Sequence, residues 1–378
     1  METPQHVKEI VPEIYEVSKF IYEHPELSSE EFKSSKYLIE KVRKFCPEVQ
    51  PNYLGIETSF KAELKPGKPS IALFAEYDAL PLGHACGHNL IAAWGYGVFK
   101  ALSLEKNLNL NVILFGSPAE ESRGKYASSK VIISKELKKL GVEGSLVVHP
   151  YSRWEVAAKY YARWRGSFTF KGKASHAAAS PQEGINALDS AVNFYISLKM
   201  IRSSLNPNVK TVISEIIKSG GNAVNIIPES TEVWVDIRCS VNDSVDEILG
   251  KVKRAAESCA TSTGCTLEIK DLAPFTPTFK PSQTMDQLFY SSASKFVNDI
   301  LPLSDSQYSP EMGSSDVCSV SQEVPTSQLL IKISNQNINL HTTEFLKAAG
   351  SDFAKDSLIK AVSAGYDAVI SFAKMRPL

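Results

Sequence analysis

The chain has no apolar run near the roughly 18 to 20 residues that a membrane-crossing helix needs, and none is expected to span a bilayer. Its start, Met1-Glu2-Thr3-Pro4, is acidic and polar where a secretory signal is basic and then apolar, so a cytosolic protein is expected. It lacks a surplus of charge: 41 basic against 42 acidic residues leave a net charge of -1. Nucleic acid or an anionic membrane therefore has no whole-chain attraction to exploit, and any charge-based recognition must be local. Only six cysteines are present (Cys46, Cys86, Cys239, Cys259, Cys265, Cys318), scattered without the tight spacing of a disulfide framework, which fits reduced thiols. Internal repeats and low-complexity tracts are also missing.

What remains is an ordinary globular composition, 43% hydrophobic and 22% charged, in 378 residues. That length exceeds one comfortable core, so two domains are expected. The most informative stretch is Leu73–Leu90, where an apolar run, Ile71–Ala75, breaks into acids, then Pro81 and Gly83, then Cys86-Gly87-His88 and an apolar segment of helical character. This predicts a buried strand ending in a chemically loaded loop. Thiolate and imidazole one residue apart, with a glycine allowing a sharp bend between them, suit a zinc-like ion. Taken alone the pair equally describes a small buried thiol beside a hydrogen-bonded histidine.

Helical spacing of Val7, Ile10, Val11, Ile14, Val17 and Ile21 predicts a first helix over Val7–Tyr22. A second is expected from Ser28 or Ser29, either of which would cap it, through Val42. Between them His24-Pro25-Glu26 reads as a turn, with His24 structural. Three short apolar runs follow, Ile71–Ala75, Val112–Phe115 and Leu146–Val148, separated by segments long enough for helices such as Leu90–Leu104 and Lys130–Leu140. That alternation predicts a parallel sheet with crossover helices, whose ligands gather at the carboxyl ends of the strands. Glu76, Asp78, Cys86 and His88 follow the first strand, Glu120 and Glu121 the second, and His149 the third.

The middle of the chain differs. Strand-like alternation over Gly166–Gly172, a helix over Gly184–Arg202, strands over Val209–Ile217 and Thr231–Arg238, a helix over Val245–Ser262 and a strand over Thr266–Lys270 give the order β-α-β-β-α-β. Such a unit has its own sheet. The expected domains are thus a mixed-sheet α/β catalytic domain of residues 1–160 and 279–378 and an inserted α+β, ferredoxin-like domain of residues 161–278, with Pro274–Pro281 as the return linker. A helix over Met285–Phe296, a strand over Gln328–Ile333, a loop carrying His341 and a last helix from Glu344 towards Met375 complete the chain.

Cys86, His88, Glu121, His149 and His341, with Glu120 and Asp78 close in sequence, are enough to hold two divalent ions with a shared ligand and a water. Adjacent Glu120 and Glu121 can splay, one towards metal and one towards the attacking water. A carboxylate in reach of that water can take its proton and deliver it to a leaving amine. His84, two residues before Cys86, competes as a ligand.

The segments HPELSSEEF, AEYDALPLGHACGHN, GSPAEES, VVHP, KASHAAASPQEGINALDSAV, SGGNAVNIIP, MGSSD and HTTEF, running from His24 to Phe345, together resemble the M20 family of metallopeptidases, in its amidohydrolase and dipeptidase branch. The similarity is greatest to the M20 domain-containing dipeptidases. The resemblance implies a cage in which Cys86 bridges two ions, His88 and Glu121 complete one site, and His149 and His341 complete the other. It implies Glu120 as general base and acid and Asp78 as the carboxylate orienting a ligand imidazole. The inserted unit resembles the family's lid and dimerisation domain, which implies a homodimer and a role for His176 in polarising the scissile carbonyl in a neighbouring subunit. Asn225 and Arg238 match positions used for a substrate carboxylate, and Gly313 and Ser314 match a loop lining the cleft. Arg238 also reads as a surface or ion-paired strand residue. Where some members carry Asp, this chain has Glu76 and Asn89, neither of which removes a ligand.

The expected activity is metal-dependent hydrolysis of an amide in a dipeptide, with a basic second residue suggested, or in an N-acyl amino acid such as an aminobenzoyl-glutamate-like amide. Two divalent ions carry four positive charges, and Cys86, Glu121 and a hydroxide remove three, so a substrate with a free carboxylate near the scissile bond is favoured. Cysteine pulls towards zinc, with manganese or cobalt as alternatives. Two rival readings are a thiol hydrolase with Cys86 as nucleophile and a catalytically silent binding protein that keeps the fold.

Overall fold

The computed structural model describes residues 1–67, 69–122, 124–157, 159–305 and 313–375. In chain order its elements are α1 (Gln5–Glu23), α2 (Phe32–Arg43), β1 (Val49–Pro51), β2 (Phe60–Glu63), β3 (Ser70–Ala75), α3 (His88–Ser103), β4 (Asn111–Gly116), α4 (Lys130–Ile133), β5 (Val142–Tyr151) and β6 (Glu155–Val156). There follow β7 (Ala162–Lys171), α5 (Ala187–Ser203), β8 (Thr211–Ser219), β9 (Ser230–Cys239), α6 (Asn242–Thr263) and β10 (Thr266–Asp271). The chain closes with α7 (Gln283–Ala293), α8 (Val317–Glu323), β11 (Thr326–Lys332), α9 (Thr343–Ala349) and α10 (Asp352–Lys374). These fall into two units, one of Met1–Lys159, Phe279–Ser309 and Ser315–Leu378, the other of Tyr160–Thr278 with Pro310–Ser314.

The first unit is built on a seven-stranded mixed sheet in the order β1-β2-β4-β3-β5-β11-β6. Its centre is parallel, because β3 and β4 are buried along their whole length and need helices on both faces. Towards the two edges the pairing is antiparallel, β1 with β2, β2 with β4 and β6 with β11. Helix α3 is buried at nearly every position, so its sequence is apolar all round, unlike the one-sided α1. The parallel register pairs Ala75 with Gly116 and Leu330 with His149, so the loops leaving β3 and β4 emerge side by side.

The second unit is a four-stranded antiparallel sheet in the order β10-β7-β9-β8. Alternate residues of β9 are buried, Val233, Val235 and Ile237 among them. They pack with Phe168, Phe170, Phe194 and Val252 into a core separate from that of the first unit. The mixed α/β fold with a second sheet is thus the class expected from the sequence.

Several local expectations need correction. Helix α2 is capped by neither Ser28 nor Ser29. It starts after Glu31, while Ser29 adopts a left-handed φ of 71° and the Ser28 hydroxyl goes to Asp78. The segment Lys130–Leu140 forms only a single α turn, α4, followed by a 3₁₀ turn. His149 lies within β5 rather than beyond it. The last helix is two: at Gly350, where a Cβ would come within 2.6 Å of the Tyr22 ring, α9 ends, and the Ser351 hydroxyl caps α10 by accepting from the Ala354 N–H. The short strands β1, β2 and β6 carry too few apolar residues to announce themselves. His24 is structural as expected, stacked on Phe20 with its Nδ1 2.8 Å from the Phe20 carbonyl oxygen. Among the described residues, no helix is long and apolar enough to cross a membrane.

Candidate metal centre and active site

The loop after β3 ends at Gly87, whose left-handed φ of 78° turns the chain so that Cys86 precedes the bend and His88 begins α3. A Cβ at Gly87 would meet Pro150 Cγ at 2.7 Å, so the position needs glycine both for its dihedral and for its space. Pro150 in turn follows His149, which places His149 Nε2 3.5 Å from the Cys86 sulfur.

After β4, Ala119 and Ser122 both take left-handed φ values, 59° and 58°, on either side of the two glutamates. Such backbone costs energy in non-glycine residues and persists only where the surroundings hold it. Here Glu31 does so, accepting the Ala119 N–H at 2.9 Å while also accepting from the Ser29 N–H and the Thr58 hydroxyl. The twist splays the pair. One oxygen of Glu120 accepts from the Ser315 hydroxyl at 2.7 Å and the other stands 3.9 Å from His88 Nε2, while Glu121 Oε1 stands 3.5 Å from His341 Nε2. His341 is also left-handed, φ 66°, and its N–H donates to the Ala85 carbonyl, which ties its loop to the residue before Cys86.

Donor atoms thereby gather in three overlapping groups, each with all its atoms within 4.8 Å of one another: Cys86 with His88 and His149, Cys86 with Glu121 and His341, and His88 with Glu120 and Glu121. All five sequence-predicted ligands converge, and Cys86 is common to the first two groups. In the two groups that hold Cys86, His149 goes with His88 and His341 with Glu121, while the third group holds the His88–Glu121 pair that the resemblance implies for one site. His84 is buried but belongs to none of these groups among the described residues.

The two buried imidazoles of these groups are oriented from behind. His88 Nδ1 lies 3.0 Å from Asp78 Oδ1 and 2.9 Å from the Asp78 carbonyl, and His149 Nδ1 lies 2.8 Å from the Pro150 carbonyl. With Nδ1 as the donor in each, Nε2 presents its lone pair to the cluster. Burial opposes a charge on His88, but Asp78 outweighs it and raises its pKa well above the usual value. Burial pulls His149 down to about 4. Burial and the Glu121 charge push the Cys86 thiol well up, and burial with Asp316, Glu76 and Glu121 pushes Glu120 well up. Burial would raise Glu121 too, yet His341 and His88 hold it below the ordinary range.

A site left like this has a deficit of positive charge. Among the described residues, His88 Nε2 and Glu121 Oε1 are buried without hydrogen-bond partners. Sulfur, imidazole and carboxylate donors converging with orphaned atoms fit a divalent cation, which would satisfy them and offset the acidic cluster.

Other predicted residues lie in the second unit. His176 is exposed and bridges in antiparallel fashion to Ile226, with the Ala177 N–H donating to the Asn225 carbonyl, so His176 and Asn225 are neighbours. Arg238 donates to Asp236 at 3.0 Å on a strand face shared with Arg163 and Arg165, which also bond Asp236. Gly313 accepts from the Tyr161 N–H, Ser314 follows it, and Met312 of the MGSSD segment lies outside the described residues.

Sequence reasoning gave no role to Glu31, Lys130, Ser315 or Asp316. Glu31, Ser315 and Asp316 lie inside the quoted motif segments, where their spacing carried no chemistry of its own. Lys130 had no signal at all, since its burial follows only from the packing of α4.

Residues 162–261 match the peptidase dimerisation domain of the M20 family. Over 93% of its length the chain is 32% identical to a Xaa-Arg dipeptidase of Mus musculus, of which it covers 83%. The M20 family is where this chain belongs. It is also 29% identical, over 74% of its own length and 62% of the relative's, to one of the subunits of p-aminobenzoyl-glutamate hydrolase from Escherichia coli. Among solved structures, a dinuclear metal-binding M20 peptidase of Bacillus subtilis shares the fold with a TM-score of 0.63 at 20% identity, covering 93% of this chain and 98% of that one. An aminobenzoyl-glutamate utilization protein of Klebsiella pneumoniae does so with a TM-score of 0.70 at 16% identity, covering 96% and 98%. This M20 member is a hydrolase that depends on divalent metal.

Two outcomes are expected of this M20 site. Gly87→Ala, forced to left-handed φ against Pro150, loses about 1–2 kcal/mol of stability and binds less cation, read by thermal melting and metal content; a variant unchanged in both would show the bend to be dispensable. The second concerns Glu31, which burial and then the Asp78 charge raise from 4.5 to about 7. A carboxyl that holds its proton more tightly when folded favours folding at low pH and loses that contribution as pH climbs from 4.5 to about 7. In cation-free protein, Glu31→Gln should therefore gain melting temperature relative to the wild type across that window and not above it. An offset that is constant with pH would refute the assignment.

Proposed function

We propose that this M20 member hydrolyses the amide bond of dipeptides or N-acyl amino acids, with dipeptides ending in a basic residue as the preferred class. The single observation that carries the catalytic reading is the convergence of Cys86, His88, Glu121, His149 and His341 donor atoms beside the Glu120 carboxylate. The likeness to a Xaa-Arg dipeptidase supports the basic preference, and the likeness to an aminobenzoyl-glutamate hydrolase supports an N-acyl amino acid as the alternative.

We assign two cation positions that share Cys86, one completed by His88 and His149 and the other by Glu121 and His341. Zinc is the first choice because a thiolate belongs to both, ahead of manganese and cobalt. When bound, such cations act as Lewis acids on the scissile carbonyl and lower the pKa of the attacking water. Glu120 accepts a proton at the oxygen turned towards His88 and returns it to the leaving amine nitrogen. Asp78 keeps His88 in the tautomer that leaves Nε2 free, and the Pro150 carbonyl does the same for His149.

The first unit is read as the catalytic domain and the second as lid and dimerisation domain. Two features support a homodimer: β8 is an edge strand of its sheet, and Val192, Ile196 and Met200 form an exposed apolar stripe at four-residue spacing on α5. His176 is assigned to polarising the scissile carbonyl in a neighbouring subunit, Asn225 and Arg238 to a substrate carboxylate, and Gly313 and Ser314 to the cleft. Six free, buried cysteines are in keeping with a reducing, cytosolic setting.

A panel of dipeptides and N-acyl amino acids on cation-reconstituted protein tests the activity. Dipeptides ending in arginine or lysine should be cleaved fastest, their amidated forms at least about tenfold more slowly, and Glu120→Gln should be inactive on all of them. Activity that survives chelation but not thiol alkylation would instead identify Cys86 as a nucleophile. For the dimer, His176→Ala mixed with Glu120→Gln should recover part of the turnover, because one site of each mixed pair is whole; no recovery would rule out a shared site.

A further inference from the structure

Lys130 is fully buried, at the start of α4, and a buried ammonium is tolerable only when paired. Its Nζ lies 2.6 Å from Asp316 Oδ1 and 2.9 Å from Glu76 Oε1, and its backbone N–H donates to Asp316 Oδ2 at 3.2 Å. One lysine therefore joins three segments: the end of β3, the start of α4 and the loop entering α8. Asp316 stands where it would cap α8 but makes no side-chain cap, because both its oxygens are committed to Lys130. Ser315 is the residue before it. The Val317 N–H approaches the Ser315 oxygen at 3.4 Å, which leaves the hydroxyl proton for Glu120 Oε1 at 2.7 Å.

Glu120 reaches the donor cluster through a flexible side chain whose terminal torsion is soft. With one oxygen held by Ser315, the other is the one left towards His88 Nε2. We propose that Ser315 is a positioning residue that selects the working oxygen of Glu120, and that the buried Lys130–Asp316–Glu76 ion cluster holds Ser315 in place. This rests on the reading of Glu120 as the proton-transferring group. It adds a division of labour between its two oxygens.

Lys130→Met is a poor probe, because it strands two buried carboxylates. Ser315→Ala and Ser315→Thr are the informative pair, in the full-length, cation-loaded chain with the fastest dipeptide of the panel and with Glu120→Gln as control. Loss of a hydrogen bond to a charged group predicts a kcat about tenfold lower in Ser315→Ala, with KM and cation content unchanged. Ser315→Thr, which keeps the hydroxyl, restores kcat. Crystal structures of the two variants supply a readout apart from turnover: Glu120 in more than one conformer in Ser315→Ala and in one in Ser315→Thr. Wild-type kcat in Ser315→Ala beside an inactive Glu120→Gln would overturn the positioning role. So would a loss of cation in Ser315→Ala, or a threonine variant that restores nothing. Should Glu120→Gln itself keep its turnover, the reading of Glu120 fails separately, and a single unmoved Glu120 conformer in Ser315→Ala would then overturn the positional claim as well.

Discussion

The Asp78 carboxylate is the constraint on which the site depends. It is fully buried, yet held well below the usual carboxylate range despite that burial, by His88 first and then by the Glu121 N–H and the Ser28 hydroxyl. One oxygen sets the tautomer of His88. The other accepts from the loop after β4 and from the chain between α1 and α2. Three stretches distant in sequence are therefore fixed by one charged group, and a charge placed out of water demands that every lone pair be met.

A second balance sits beside the first. Asp316, Glu76 and Glu121 all lie close enough to raise Glu120, and Lys130 is the buried ammonium set among them. Burial by itself would discharge that lysine, but the Asp316, Glu76 and Glu120 carboxylates keep its pKa above the ordinary value. Divalent cations bound at the donor groups would add the positive charge that this acidic cluster otherwise lacks.

The strained backbone has the same origin. Ala119, Ser122 and His341 occupy left-handed dihedrals in non-glycine residues at the points where the chain must turn donors inward. Glu31, buried and bonded to the Ala119 N–H, belongs to this supporting frame. Local propensity would have placed none of these residues in such conformations, so packing imposes them.

Much of the molecule could be read beforehand. Period-two and helical patterns located the central strands and the β-α-β-β-α-β insertion, because burial of one face leaves a periodic trace, and the five candidate donors stood out by type, as soft or anionic side chains at strand ends or in loops. The breaks went unseen where a distant neighbour causes them. Tyr22 separates α9 from α10 at Gly350, and Ser28 serves Asp78 instead of starting α2. The sequence by itself determined which soft or anionic side chains are candidates to hold cations. Tertiary structure alone decided that His149 comes near His88 and His341 near Glu121, that Lys130 pairs with Asp316 and Glu76, and that Ser315 bonds Glu120. Those relations depend on distances between segments that no local pattern encodes, and they are set when parallel strands align their carboxyl ends and buried charges find partners.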